Sequence, residues 1–317
     1  MTAIPLRSPG LASTPVRLDR RQAVVTVDGL SKRFGRVLAV DDLTFSLEHG
    51  TVTGFLGPNG AGKTTTLRML LGLAKPSGGT ALVFGERYEE IPNPARRVGA
   101  VLEATDFHPG RSGRDHLLML AYAAGLPARR VDEVLSLVEL SSASRRRAGG
   151  YSLGMRQRLG LAGALLADPE LLILDEPANG LDPEGVHWLR EFLRSFAADG
   201  NTVLVSSHVL AEVAQTVDQV VIINKGKLVL ASPLQELIAR AGGGVRVLAP
   251  AAARLHELLL EHEYGSRILD THELLVHGAT SAEVGELAGD AGIHLHELST
   301  STSSLEDVFL ELTAKEA

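Results

Sequence analysis

The chain has 317 residues, is 44% hydrophobic and carries a net charge of -7. That length accommodates roughly two domains with a sizeable core, and the acidic balance argues against a general nucleic-acid binder, so no nucleic-acid partner is expected. With no cysteine there is no disulfide framework and no thiolate metal site, and the longest uncharged apolar-rich stretch, Leu117 to Ala128, is 12 residues and too short to span a bilayer as a helix.

Residues 1–22, rich in Pro, Ser and Arg and without an apolar core of signal-peptide length, read as a mobile tail. From Val24 onward, short β-rich runs alternate with helical patterns: Val24–Val27, Leu43–Leu47, Thr53–Leu56, Ala81–Phe84, Val98–Leu102, Leu171–Leu174, Thr202–Ser206 and Val220–Asn224. The alternation predicts an α/β sheet layer over residues 23–241. Between Gly113 and Gly150 the strand signal vanishes, which predicts a helical insert spanning about 104–165. Asp182 caps a helix whose Val186, Leu189, Leu193 and Phe196 share a face, with Pro183 in its first turn and Gly200 beyond its end.

Gly242-Gly243-Gly244 reads as a linker. Beyond it, residues 245–317 follow a β, α, β, β, α, β pattern that predicts a small α+β domain of ferredoxin-like or related kind. A closing helix starts at Ser304, with Asp307 at capping-box spacing and Leu305, Val308, Phe309 and Leu312 in an apolar stripe. His294 and His296, beside Glu297, share a face if they lie on a strand, but without a third ligand they read as structural or surface residues.

Chemistry concentrates in two places. GPNGAGKTT follows the strand ending at Leu56 and satisfies G-x-x-x-x-G-K-[ST] with Gly57, Gly62, Lys63 and Thr64. Such a loop, here Gly57, Pro58, Asn59, Gly60, Ala61, Gly62, Lys63, Thr64 and Thr65, turns backbone N–H groups inward around phosphate oxygens. Lys63 reaches the β- and γ-phosphates of a nucleotide, and the Thr64 hydroxyl ligates Mg²⁺. The second place is LLILDEPANGLD, where Asp175 and Glu176 end an apolar run. Paired with a phosphate loop, Asp175 is the acid expected to hold Mg²⁺, and Glu176 is placed to orient or deprotonate the attacking water.

YSLGMRQRLGLAGALLADPELLILDEP, with Ser152-Leu153-Gly154-Met155 and Gln157-Arg158 one helix upstream of the acid pair, resembles the signature of ATP-binding cassette (ABC) proteins. The resemblance covers residues 24 to about 235. It implies a phosphate-loop nucleoside triphosphatase fold, ATP and Mg²⁺ as cofactors, and two cassettes packed head to tail. In that arrangement Phe34 stacks on adenine, and Ser152 and Gly154 contact the γ-phosphate held by the partner's loop. Asn179-Gly180-Leu181-Asp182 forms the D-loop, and His208 is the switch histidine. The resemblance further implies an ATPase subunit peripheral on the cytoplasmic face of the membrane, working with a separate transmembrane permease and most simply as a homodimer. A soluble switch acting on a non-transport partner is the alternative. Lys63 and Ser152 stand 89 positions apart with no sustained heptads between them, unlike the long coiled coil of chromosome-associated cassettes. The SLEDVFLEL ending looks like that of two-component exporters of drugs, antibiotics or lipids. Glu103 stands where most cassettes have a glutamine that touches Mg²⁺ or the attacking water, and so joins the catalytic and metal candidates. Glutamate here resembles bacitracin- and lantibiotic-protection exporters, which points to an antibiotic or similar amphiphile as cargo.

Overall fold

The computed structural model describes residues 23–102, 107–209, 213–241, 244–262 and 264–301. The tail at 1–22, Glu103 and the helix expected at Ser304 lie outside the described residues.

Strands β1 (Ala23–Phe34), β2 (Val37–Glu48) and β4 (Gly78–Val83) form an antiparallel sheet in the order β2-β1-β4. The expected Val24–Val27 and Leu43–Leu47 are only the inner ends of this long hairpin. Register shifts near Leu30 and Lys32 break the alternation that marks a regular strand, so the outer half is invisible to period-two reading. The main sheet runs β5-β6-β7-β3-β8-β9, built from β3 (Val52–Leu56), β5 (Val98–Val101), β6 (Leu171–Asp175), β7 (Thr202–Ser207), β8 (Gln219–Asn224) and β9 (Lys227–Pro233). All neighbours are parallel except β8 and β9. β9, which leads into α6 (Leu234–Ala241), is not among the expected strands: its apolar run, Leu228 to Ala231, is short, and all but one of its residues are half-exposed or exposed.

Residues of β3 and β6 are buried throughout, as covered parallel strands require. Alternate side chains nonetheless enter different cores: Leu172, Leu174, Val203 and Val205 pack with the helical insert, while Leu171, Ile173 and Leu204 pack with the antiparallel sheet and α1 (Lys63–Leu70). Each fully buried leucine contributes about 1.5–3 kcal/mol relative to exposure.

The insert holds α2 (Gly113–Ala123), α3 (Arg129–Leu137) and α4 (Leu153–Leu165), with no strand among its described residues. Ser112 caps α2 by accepting from the Asp115 N–H. α4 is held at two points, once against the main sheet and once against a neighbouring helix. A Cβ on Gly99 of β5 would lie 2.5 Å from the Ala164 carbonyl oxygen, a close approach that only glycine permits. The Arg158 guanidinium lies 4.5 Å from the centroid of Trp188 on α5 (Pro183–Ala198) and donates to the Val138 carbonyl at the end of α3.

β10 (Gly244–Leu248), α7 (Ala252–Glu261), β11 (Gly265–Asp270), β12 (Glu273–His277), α8 (Ser281–Asp290) and β13 (Glu297–Ser301) form a third sheet, antiparallel in the order β11-β12-β10-β13. Order and connectivity are those of a ferredoxin-like fold. Gly244 is not linker but the first residue of β10, paired with Ser301. The last strand starts at Glu297 rather than His294, so the two histidines precede it; the His296 N–H donates to the Leu248 carbonyl at 2.7 Å, which fixes the entry. Among the described residues no group of three metal-ligating side chains exists.

Candidate functional site

Parallel pairing brings the carboxyl ends of β3, β6 and β7 to one edge, where open α/β sheets place their ligands. From β3 the chain enters the 57–65 loop. A Cβ on Gly57 would lie 2.5 Å from the Ile223 carbonyl oxygen; Gly62 has φ 104° and packs against the Ala39 carbonyl. The loop is therefore pressed against β8 and β2, and α1 leaves it with no side-chain N-cap and no acid in its first turn. Its leading N–H groups fit an anion.

Lys63 is buried, and its ammonium donates to the Gly57 carbonyl at 2.6 Å while pairing with Glu176 Oε1 at 3.3 Å. The other oxygen of Glu176 lies 2.9 Å from His208 Nδ1. One carboxylate thus joins the phosphate loop to the end of β7. The Thr64 hydroxyl donates to Asp175 Oδ2 at 2.7 Å. Those two hard oxygens, one a buried carboxylate, fit Mg²⁺, which takes few protein ligands.

Ser206 was missed in the sequence. Fully buried on β7, it donates to Asp175 Oδ1 at 2.5 Å and accepts from the Glu176 N–H at 2.9 Å. Glu176 has φ 49°, in the left-handed region where a non-glycine residue is strained. The Ser206 bond holds that peptide in place. The one available signal was the Ser206-Ser207 pair interrupting an apolar strand just before His208.

Ser152 caps α4, accepting from the Met155 N–H at 3.2 Å. Gly154 follows in the first turn, where a Cβ would lie 3.3 Å from Leu181 Cδ2. Asn179 accepts from Gln157 Nε2 at 3.4 Å, and Asp182 caps α5, so the 179–182 turn is held between α4 and α5. Phe34 is 53% exposed at the hairpin tip, its ring 4.9 Å from the Lys32 ammonium, free to meet a planar ring from outside. Among the described residues no hydrogen bond or ion pair joins Phe34, Ser152 or Gly154 to the Lys63–Glu176–His208 cluster. Glu103 lies outside the described residues.

Sheet, loop and acid pair together define a phosphate-loop cassette that binds a nucleoside triphosphate. Residues 40–179 match the ABC transporter family, and residues 243–306 match a domain of unknown function, DUF8746. The chain is 37% identical over 297 residues to the bacitracin transport ATP-binding protein BcrA of Bacillus licheniformis, covering 91% of this chain and 97% of that protein. It is 35% identical over 324 residues to the Nod factor export ATP-binding protein I of Ralstonia nicotianae, covering 97% of each. A solved ATP-binding subunit of an ABC transporter superposes with a TM-score of 0.63 at 29% identity, covering 68% of this chain and 92% of that one. The chain belongs to the ATP-binding subunits of ABC transporters. It binds and hydrolyses ATP in a family whose ATP-binding subunits dimerise and pair with membrane permeases.

Proposed function

We propose that this chain powers export of an antibiotic-like amphiphile through a separate permease, acting as a homodimer on the cytoplasmic face of the membrane. The names of the relatives aligned over nearly the whole chain, one of bacitracin transport and one of Nod factor export, support an export role and an antibiotic-type cargo. The roles assigned to the site rest chiefly on one observation, the single Glu176 carboxylate touching both Lys63 and His208.

In this reading the 57–65 loop and Lys63 bind the phosphates and Phe34 stacks on the base. Thr64 and Asp175, with Glu103, hold Mg²⁺, which when bound offsets the charge on the phosphates. Glu176 Oε2 takes the proton of the attacking water, and His208 keeps that carboxylate turned toward the phosphate end. Ser152 and Gly154, at the start of α4, complete the site of a second copy from across the interface, so hydrolysis loosens the pair.

Glu176→Gln tests this reading. The amide keeps the shape but cannot accept the proton, so turnover should fall about 10²–10⁴-fold while ATP binding persists. With MgATP the variant should run as a dimer in size-exclusion chromatography. Near-normal turnover would remove Glu176 from the role.

A further inference from the structure

We propose that an arginine-rich ribbon on the helical insert docks on anionic phospholipid headgroups and orients the subunit at the membrane. The inference rests on the reading that this chain works beside a membrane-embedded partner. Residues 107–165 contain nine arginines and no lysine against four carboxylates, a positive region in a chain of net charge -7. The fold gathers five of these arginines. Ser112 bridges Arg147, the Ala148 N–H donates to the Arg111 carbonyl at 2.8 Å, and the Arg114 N–H donates to the Ser144 carbonyl at 2.8 Å. The 111–114 and 144–148 segments therefore lie side by side, with Arg145, Arg146 and Arg147 exposed.

The acids facing the ribbon are Asp115, bonded to the Ser112 hydroxyl, and Asp132, held by the Arg114 guanidinium at 2.9 and 3.1 Å. Asp132 also feels the charge of Arg145, so two arginines share one acid, and among the described residues neither Arg145 nor Arg147 is in a direct ion pair. Two exposed residues of α2 stand near the ribbon: Met119, whose Sδ lies 3.0 Å from Arg111 Nη1, and Tyr122, close enough to act on the Arg114 charge. Exposed guanidinium groups in excess over their acids, with apolar tips beside them, match a headgroup layer, where phosphates meet the charges and the tips reach the acyl boundary. The acidic remainder of the chain is repelled by the same surface, so attraction at the ribbon sets orientation as well as proximity.

The test uses the full chain and vesicles of phosphatidylcholine with or without about one third phosphatidylglycerol, read by co-sedimentation at about 0.1 M and about 0.5 M salt. The protein should sediment with anionic vesicles only, and less at high salt. Arg145→Gln with Arg147→Gln should weaken binding about 25-fold, about fivefold per arginine, while Arg145→Lys with Arg147→Lys retains it. Both variants should keep wild-type ATPase activity, which reports a folded cassette. Equal binding to neutral and anionic vesicles, no binding to either, or an unaffected glutamine variant would overturn the proposal. So would a glutamine variant that keeps vesicle binding but no longer co-purifies with the permease in detergent, since the ribbon would then serve a protein partner. If wild type bound anionic vesicles yet no permease co-purified with it, the lipid surface would stand and the transport reading would fail.

Discussion

Ser206→Ala removes one buried oxygen that serves both acids of the site. The Glu176 N–H, partly buried, loses its acceptor at about 1–3 kcal/mol, and Asp175 loses a charge-assisted bond worth about 1.5–3 kcal/mol. Because both losses run through one hydroxyl they are not additive, and about 2–4 kcal/mol is expected in total. For a cassette of this size that lowers Tm by roughly 5–12 °C. The catalytic effect should exceed the thermal one. Glu176 is held at φ 49°, and a left-handed non-glycine residue costs about 1–2 kcal/mol. Freed from Ser206, the peptide relaxes and carries the carboxylate away from Lys63 and His208. The expected result is a kcat lowered about 10–100-fold, with ATP affinity nearly unchanged because the phosphate loop is untouched. Differential scanning fluorimetry and steady-state ATPase assays at saturating ATP measure both. A Tm shift below about 2 °C together with kcat within about twofold of wild type would refute the argument, since the hydroxyl would then be holding neither acid.

On the proposed reading, in which the Lys63 ammonium would bond two phosphates at about 1.5–3 kcal/mol per bond, Lys63→Ala should weaken ATP binding about 100-fold or more; titration with a fluorescent ATP analogue measures it. The Arg97 guanidinium, bonded to Glu170 at 2.8 and 3.3 Å, holds that carboxyl below the usual carboxylate range. Its contribution is present above that range and lost as pH falls through the depressed value. The stability gap between wild type and Glu170→Gln in urea unfolding should therefore close on acidification, from a few tenths of a kcal/mol, since both partners are partly exposed. A chain ending at residue 243 should remain folded and bind ATP, because the loop, acids and signature residues all precede that point; loss of soluble, nucleotide-binding protein would place the third sheet within the cassette's own folding unit.

The site was legible where its chemistry is contiguous. Gly57 to Thr65 and Asp175-Glu176 each carry a mechanism in their spacing, so a strand end and a few residue types sufficed. Ser206 was not legible, because a hydroxyl inside an apolar strand acquires meaning only through the neighbour that parallel pairing supplies, and that neighbour, Asp175, is 31 positions away. The same division holds for the fold. β3 and β6, buried on both faces, announce themselves as apolar runs, whereas the outer half of β1 and most of β9 are half-exposed or exposed and irregular in register, and are strands because a partner pairs with them. His294 and His296 show the converse error: they alternate with Ile293 and Leu295 as strand residues would, yet pairing begins only at Glu297.

The two ties on α4 have a mechanical consequence. A helix pinned at its C-terminal end against Gly99 and braced at mid-length on Trp188 behaves as a beam built into the wall of the sheet, its N-terminal end, bearing Ser152 and Gly154, resting on the 179–182 turn. Bending at the root would open the contact between Gly99 and the Ala164 carbonyl, so a displacement of the tip has to be delivered by tilting α4 and α5 together. α3 hangs on that beam through Arg130, which donates to the Leu165 and Leu166 carbonyls, and amide exchange should find α4 opening with the parallel sheet rather than with α2 and α3.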